Sequence, residues 1–104
     1  MSRFGLFAKL TAQPGERDRL VEHLLEAARL MEDAKGCELY VVNTSASDEN
    51  GVWVTEIWES EADHDASLAL EGVPELIQRA QPLIADMSEQ TRLTPIGGKG
   101  LPPG

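Results

Sequence analysis

Glu56 and His64 are the residues of this chain whose types suit proton transfer near neutrality. Glu56 falls between Val54 and Trp58 in the run Val52 to Ser60 (VWVTEIWES), so a strand here sets a carboxylate among apolar neighbours on one face. Burial disfavours the charged carboxylate and raises its pKa, which fits an acid or base working at neutral pH. The competing role for such an acid is structural, paired with an arginine or a hydroxyl. His64 follows the strand, near the first turn of a helix, whose positive end favours the neutral imidazole that can accept a proton. A helix histidine without a role is the plainer reading. Trp58 and Trp53 offer flat surfaces to an aromatic ligand and Tyr40 adds a phenol on a neighbouring strand, although all three also suit ordinary core packing. His23 lies towards the polar side of its helix and receives no role, and Cys37 reads as a small buried hydrophobe. Two histidines far apart in sequence make no metal site, and Gly97-Gly98-Lys99-Gly100 precedes no helix, so it is no phosphate loop.

These side chains need a frame, and the run Val52 to Ser60 organises it. A period of two puts Val52, Val54, Glu56 and Trp58 on one face and Trp53, Thr55, Ile57 and Glu59 on the other. A strand with a tryptophan on each side is central and needs cover on both. The chain's own helices supply one cover, and a second copy of the chain is the candidate for the other, which predicts a homodimer.

Phe4 to Ala12 alternates as a strand and ends at Gln13-Pro14-Gly15. From Glu16 a helix follows, with Leu20, Val21, Leu24, Leu25, Ala28 and Met31 as its apolar stripe and Gly36 closing it. Cys37 to Thr44 forms a second strand, and Ser45 to Gly51 the hairpin turn into the central one. Ser60 caps a short helix carrying Ala62, Ala66, Leu68 and Leu70, Gly72-Val73-Pro74 breaks it, and Glu75 to Ala85 restarts with a kink near Pro82. Met87 to Pro95 is the last strand. Residues 1–96 form one domain, and the Gly/Pro-rich tail 97–104 is loose or laid across a partner. The order strand, helix, strand, strand, helix, strand is that of an α+β, ferredoxin-like βαββαβ unit: a four-stranded antiparallel sheet with its helices on one face and strands one and three in the middle.

Composition narrows the function. With 9 basic against 18 acidic residues and a net charge of -9, the chain would be repelled by nucleic acid and by anionic membranes. It offers no apolar run of the roughly 20 residues that span a bilayer, and its start lacks the pattern of a signal peptide. The single cysteine fits a reducing compartment, so a cytoplasmic protein is expected.

The runs Gly36-Cys37-Glu38-Leu39-Tyr40-Val41-Val42, Val52 to Ser60 and Glu61-Ala62-Asp63-His64-Asp65-Ala66-Ser67-Leu68 together resemble the antibiotic biosynthesis monooxygenase, or quinol monooxygenase-like, family. Pro14-Gly15 before the long helix fits too, and Arg79 to Ala85 with Gly97 to Leu101 is similar to the ending of one bacterial subgroup. The resemblance implies a dimeric α+β barrel, in which two sheets pack face to face and a pocket lies between each sheet and its helices. It also implies oxygenation of a small aromatic quinol or anthrone by dioxygen with no cofactor, a base and a dry, stacking pocket being all the chemistry requires. His64 would be the base, Glu56 would orient it or the substrate, and Trp58 and Tyr40 would form the substrate-binding wall. Haem-degrading relatives carry a tryptophan on the helix after the third strand and a histidine on the next helix. Here Ser67 falls near the first position and no histidine follows His64, so haem chemistry is not implied. Because one fold hosts many activities, the alternative is a non-catalytic small-molecule-binding or stress-associated protein of the same architecture.

Overall fold

The structure, a computed structural model, describes residues 2–102. Strand β1 (Phe4–Ala12) leads through a turn at Gly15 into helix α1 (Arg17–Leu30), which tightens into a 3-10 turn over Met31–Asp33. Strand β2 (Cys37–Ser45) and strand β3 (Asp48–Trp58) form a hairpin. Helix α2 (Glu61–Ser67), helix α3 (Val73–Ala80), a 3-10 turn over Gln81–Leu83 and strand β4 (Ile84–Leu93) complete the chain. The four strands form one antiparallel sheet in the order β2-β3-β1-β4, with β1 and β3 central, the ferredoxin-like arrangement that the alternation of elements implies.

The central strand has the two faces expected of it. Val52, Val54 and Trp58 are buried beneath the helices with Leu10, Ala12 and Phe4 from β1. This core has two lobes. One gathers Leu10, Ala12, Leu20, Val52, Val54, Ala80 and Leu83, the other Phe4, Met31, Trp58 and Val73, and Tyr40 packs against both. Among the described residues, no helix lies on the opposite face. There Val41, Thr55, Phe7 and Thr91 stand side by side across all four strands, and Phe7, Val41 and Leu93 are 41%, 41% and 52% exposed.

Several boundaries differ from the sequence expectation, each for a local reason. The hairpin turn is only Ala46 and Ser47, because the polar residues from Asp48 to Asn50 are already strand. The Asp48 carboxylate accepts from the Asn50 amide at 3.2 Å and pairs with Lys9 at 3.1 Å, so polar groups satisfy the strand's start. Gly36 does not close α1. It lies beyond the 3-10 turn, in the left-handed region that admits glycine, and turns the chain into β2. The second helical segment is shorter than Glu75 to Ala85: it starts at Val73 with Pro74 in its first turn and ends at Ala80, Pro82 occupying the 3-10 turn instead of kinking a helix. The last strand begins at Ile84 and ends before Pro95.

Beyond β4 the tail has no regular structure to residue 102, and its Pro102 carbonyl accepts a hydrogen bond from Arg3, which also pairs with Glu38 at 2.6 Å. The outermost positions of the expected domain and tail, Met1, Pro103 and Gly104, lie outside the described residues. No helix among the described residues is long and apolar enough to cross a membrane.

Candidate functional site

The helix-facing side of β3 presents Glu56 between Val54 and Trp58, with Tyr40 of β2 and Leu6 of β1 opposite it in register. Helix α2 must then bring His64 back over this spot, and two serines fix its ends. Ser60 accepts the Asp63 amide at 3.1 Å as the N-cap, and the Ser67 hydroxyl donates to the His64 carbonyl at 2.6 Å; both serines are buried. The β2 entry turn backs onto this helix. The Glu59 amide donates to the Gly36 carbonyl at 2.8 Å, and any side chain at Gly36 would collide with the Asp63 carboxylate.

The result is a chain of polar contacts set in apolar surroundings. The Trp58 indole N–H donates to Glu56 Oε1 at 3.0 Å. Glu56 Oε1 lies 3.9 Å from His64 Nε2, and both side chains are only 13% exposed. His64 Nδ1 meets the Asp65 carboxylate at 3.0 Å. A carboxylate only accepts, so Nδ1 carries the proton and, in the neutral ring, Nε2 keeps a lone pair directed away from Asp65. Phe4 and Trp58 hold the imidazole, with ring centroids 5.1 Å and 5.7 Å away.

Burial pushes the Glu56 carboxyl above the ordinary carboxylate range, opposed by the Trp58 indole and by positive charge on His64. The expected raised pKa is therefore present, while the acid's partner is an indole and neither an arginine nor a hydroxyl. Burial, then the nearby Glu56, raises the Tyr40 phenol far enough to keep it protonated. Cys37 is half-buried against the second core lobe and its thiol is likewise pushed up by burial, in keeping with a small hydrophobe and not a nucleophile.

A cavity of about 140 Å³ opens at this point, at the seam between the two core lobes. Tyr40, Glu56 and His64 all line it, so three of the four residues to which the family resemblance gave roles converge there. Trp58 stands behind the lining, fully buried, and reaches the site through its bond to Glu56 and its edge contact with the His64 ring. Trp53 is on the other face of the sheet, beneath the Lys9 ammonium.

Two residues are in place that the sequence reading left without a role. Asp65 orients His64. His23 lines the cavity from α1 beside Leu24 and Ala27, because it lies only about 60° to one side of Leu20, the buried residue of that helix. The spacing of Ala27 and Met31 carried this signal, but Leu25, in fact 43% exposed, draws the apparent stripe away. Among the described residues no cluster of three or more His, Cys, Asp and Glu could hold a metal ion.

The same fold recurs in known proteins. A protein from Chloroflexus aurantiacus J-10-fl, provisionally described as an antibiotic biosynthesis monooxygenase, is 40% identical over 93% of this chain and 96% of its own, with a TM-score of 0.87. PA3566 from Pseudomonas aeruginosa shares the fold at 18% identity, with a TM-score of 0.82 over 93% of this chain and 97% of its own. Rv0793 from Mycobacterium tuberculosis does so at 18% identity and 0.81, over 94% and 99%. No curated protein matches the chain. The sequence profile of the antibiotic biosynthesis monooxygenases matches residues 3–79, which include every cavity residue except Ala80 and point to a monooxygenase-like or small-molecule-binding function. Both the profile and the 40% identical relative therefore place this chain in the antibiotic biosynthesis monooxygenase family.

Proposed function

We propose that this protein is a homodimeric monooxygenase that oxidises a small aromatic quinol with dioxygen and no cofactor. The observation that carries the reading is the Asp65–His64–Glu56 series, which leaves Nε2, the nitrogen not engaged by Asp65, beside a buried carboxyl in a mostly apolar cavity. A quinol hydroxyl placed about 2.8 Å from both His64 Nε2 and Glu56 Oε1 subtends roughly a right angle between them, a geometry open to one donor and one acceptor contact.

His64 takes the hydroxyl proton, and the Glu56 carboxyl 3.9 Å away favours the imidazolium that results. The electron-rich phenolate gives one electron to dioxygen, and the resulting radical pair joins at a ring carbon as a peroxide anion, which takes the proton back from His64 to become a hydroperoxide. Loss of water from the hydroperoxide and the hydrogen on that carbon leaves a carbonyl there. For a dihydroxybenzene the reaction balances as one quinol and one dioxygen giving one hydroxybenzoquinone and one water. One oxygen atom enters the ring, the other leaves as water with two substrate hydrogens, and the substrate supplies all four electrons. Tyr40, kept protonated, is available to donate to the oxygen that gains charge. Trp58 acts as a positioning residue by holding Glu56.

The test is oxygen uptake after anaerobic mixing with a quinol. Uptake above the spontaneous rate that vanishes in His64→Ala is expected, and equal rates in the two proteins would remove His64 from the mechanism. A second reading, a protein that binds a small molecule without converting it, draws on the apolar lining of the cavity. It predicts ligand binding with no uptake above the spontaneous rate.

A further inference from the structure

The cavity has a second polar end. Apart from Tyr40, Glu56 and His64, its polar lining consists of Ser67, whose hydroxyl is spent on the His64 carbonyl, and His23. His23 also borders an open depression with Glu26, Arg29 and Arg79, the last joined to Glu26 at 2.5 Å. It therefore stands at the solvent mouth between α1 and α3, whereas Glu56 and His64 stand against the sheet. His23 Nδ1 meets the Arg19 carbonyl at 2.8 Å. A carbonyl only accepts, so Nδ1 carries the proton, and the nitrogen left to meet a ligand is Nε2, an acceptor in the neutral ring.

The volume of about 140 Å³ is close to the roughly 150 Å³ at which an apolar cavity in a protein takes up one benzene. We infer that His23 is the far contact of the ligand, and that the ligand is a single aromatic ring with a hydrogen-bond donor at each end, one received at His64 and the other at His23. A para-dihydroxybenzene carries its two donors at opposite ends of the ring, as this pair of contacts requires. An ortho-dihydroxybenzene, of the same formula and size, presents both donors at one end and leaves His23 unmet. Fused three-ring anthrones exceed the space. This inference rests on the quinol reading for its chemistry, but it makes a binding claim of its own.

The experiment is anaerobic calorimetric titration of para- and ortho-dihydroxybenzene into the whole protein, its His23→Leu and His23→Gln variants, and His64→Ala. One additional hydrogen bond predicts that the wild-type protein binds the para isomer roughly fivefold more tightly than the ortho. His23→Leu should bring the para isomer down to the ortho value, and His23→Gln, which retains an acceptor, should keep part of the preference. Equal affinities in the wild-type protein, a para preference that survives His23→Leu, or an anthrone that binds more tightly than either isomer would each overturn the inference. Failure of the oxygenase reading looks different: a His23-dependent para preference in the sealed cell, with no His64-dependent uptake of oxygen in air.

Discussion

At the scale of single residues, the site turns on a carboxyl that burial makes harder to ionise. Glu56 has its pKa raised in the fold, by burial first. Between its unfolded value and the higher folded one, the native chain keeps a proton that the unfolded chain has released, so stability falls as pH climbs through that window. Glutamine can still accept from the Trp58 indole and carries no titrating proton. Glu56→Gln should therefore gain in melting temperature on the wild-type protein as the pH of the melt rises from about 4 to about 7. Parallel curves would mean that Glu56 ionises in the fold as easily as in water. Trp58→Phe removes the indole donor and leaves a void where nothing was exposed, a loss on the order of 2 kcal/mol by denaturant unfolding. It should also raise the Glu56 pKa further, which a carboxyl-carbon NMR titration would register; an unchanged titration would separate the indole from the electrostatics of the site. Glu56, His64 and Tyr40 were legible in the sequence because each lies on the apolar face of a strand or directly after one. Asp65 was not, since its value lies in one contact with its neighbour's ring that no periodicity marks.

At the scale of elements, alternation gave the sheet and three-to-four spacing gave α1, while the boundaries followed local polar contacts that hydropathy does not encode. Asp48, Glu49 and Asn50 read as turn because they are polar, yet they extend β3 past its apolar stretch. His23 was missed for a related reason: whether the flank of an amphipathic helix meets solvent or a cavity is decided by where α3 packs, and that is a tertiary fact. The capping of α2 was legible, and it matters most here, because a helix of seven residues is not stable by itself. Ser60→Ala should cost about 1 kcal/mol and lower the melting temperature by about 4–8 °C. With the helix start loosened His64 loses its place over Glu56, so quinol turnover should fall by more than stability alone accounts for at a temperature where the variant is folded. Ser60→Asp, which supplies an acceptor and a favourable charge at the helix start, should restore both. Restoration of stability without turnover would show that the cap holds the fold but not the histidine.

At the scale of the whole molecule, the chain leaves open a sheet face that its own helices cannot reach. Thr55 is at the middle of the row Val41–Thr55–Phe7–Thr91 that crosses the sheet, so a second copy laid on this face would bury it near the centre of contact. An arginine there would be an unpaired charge inside that contact, yet in the single chain it would merely extend into solvent. Thr55→Arg should therefore leave the helix-side cavity and its ligand affinity intact at protein concentrations where the chain is folded, while moving sedimentation from near twice 11.3 kDa to 11.3 kDa. Charge adds a second, independent signature. Each copy carries a net charge of -9, so association would bring two strongly acidic bodies together, and salt that screens the repulsion should tighten the proposed dimer. A wild-type protein that sediments as one chain at every salt concentration would leave the exposed Phe7, Val41 and Leu93 in need of a different cover.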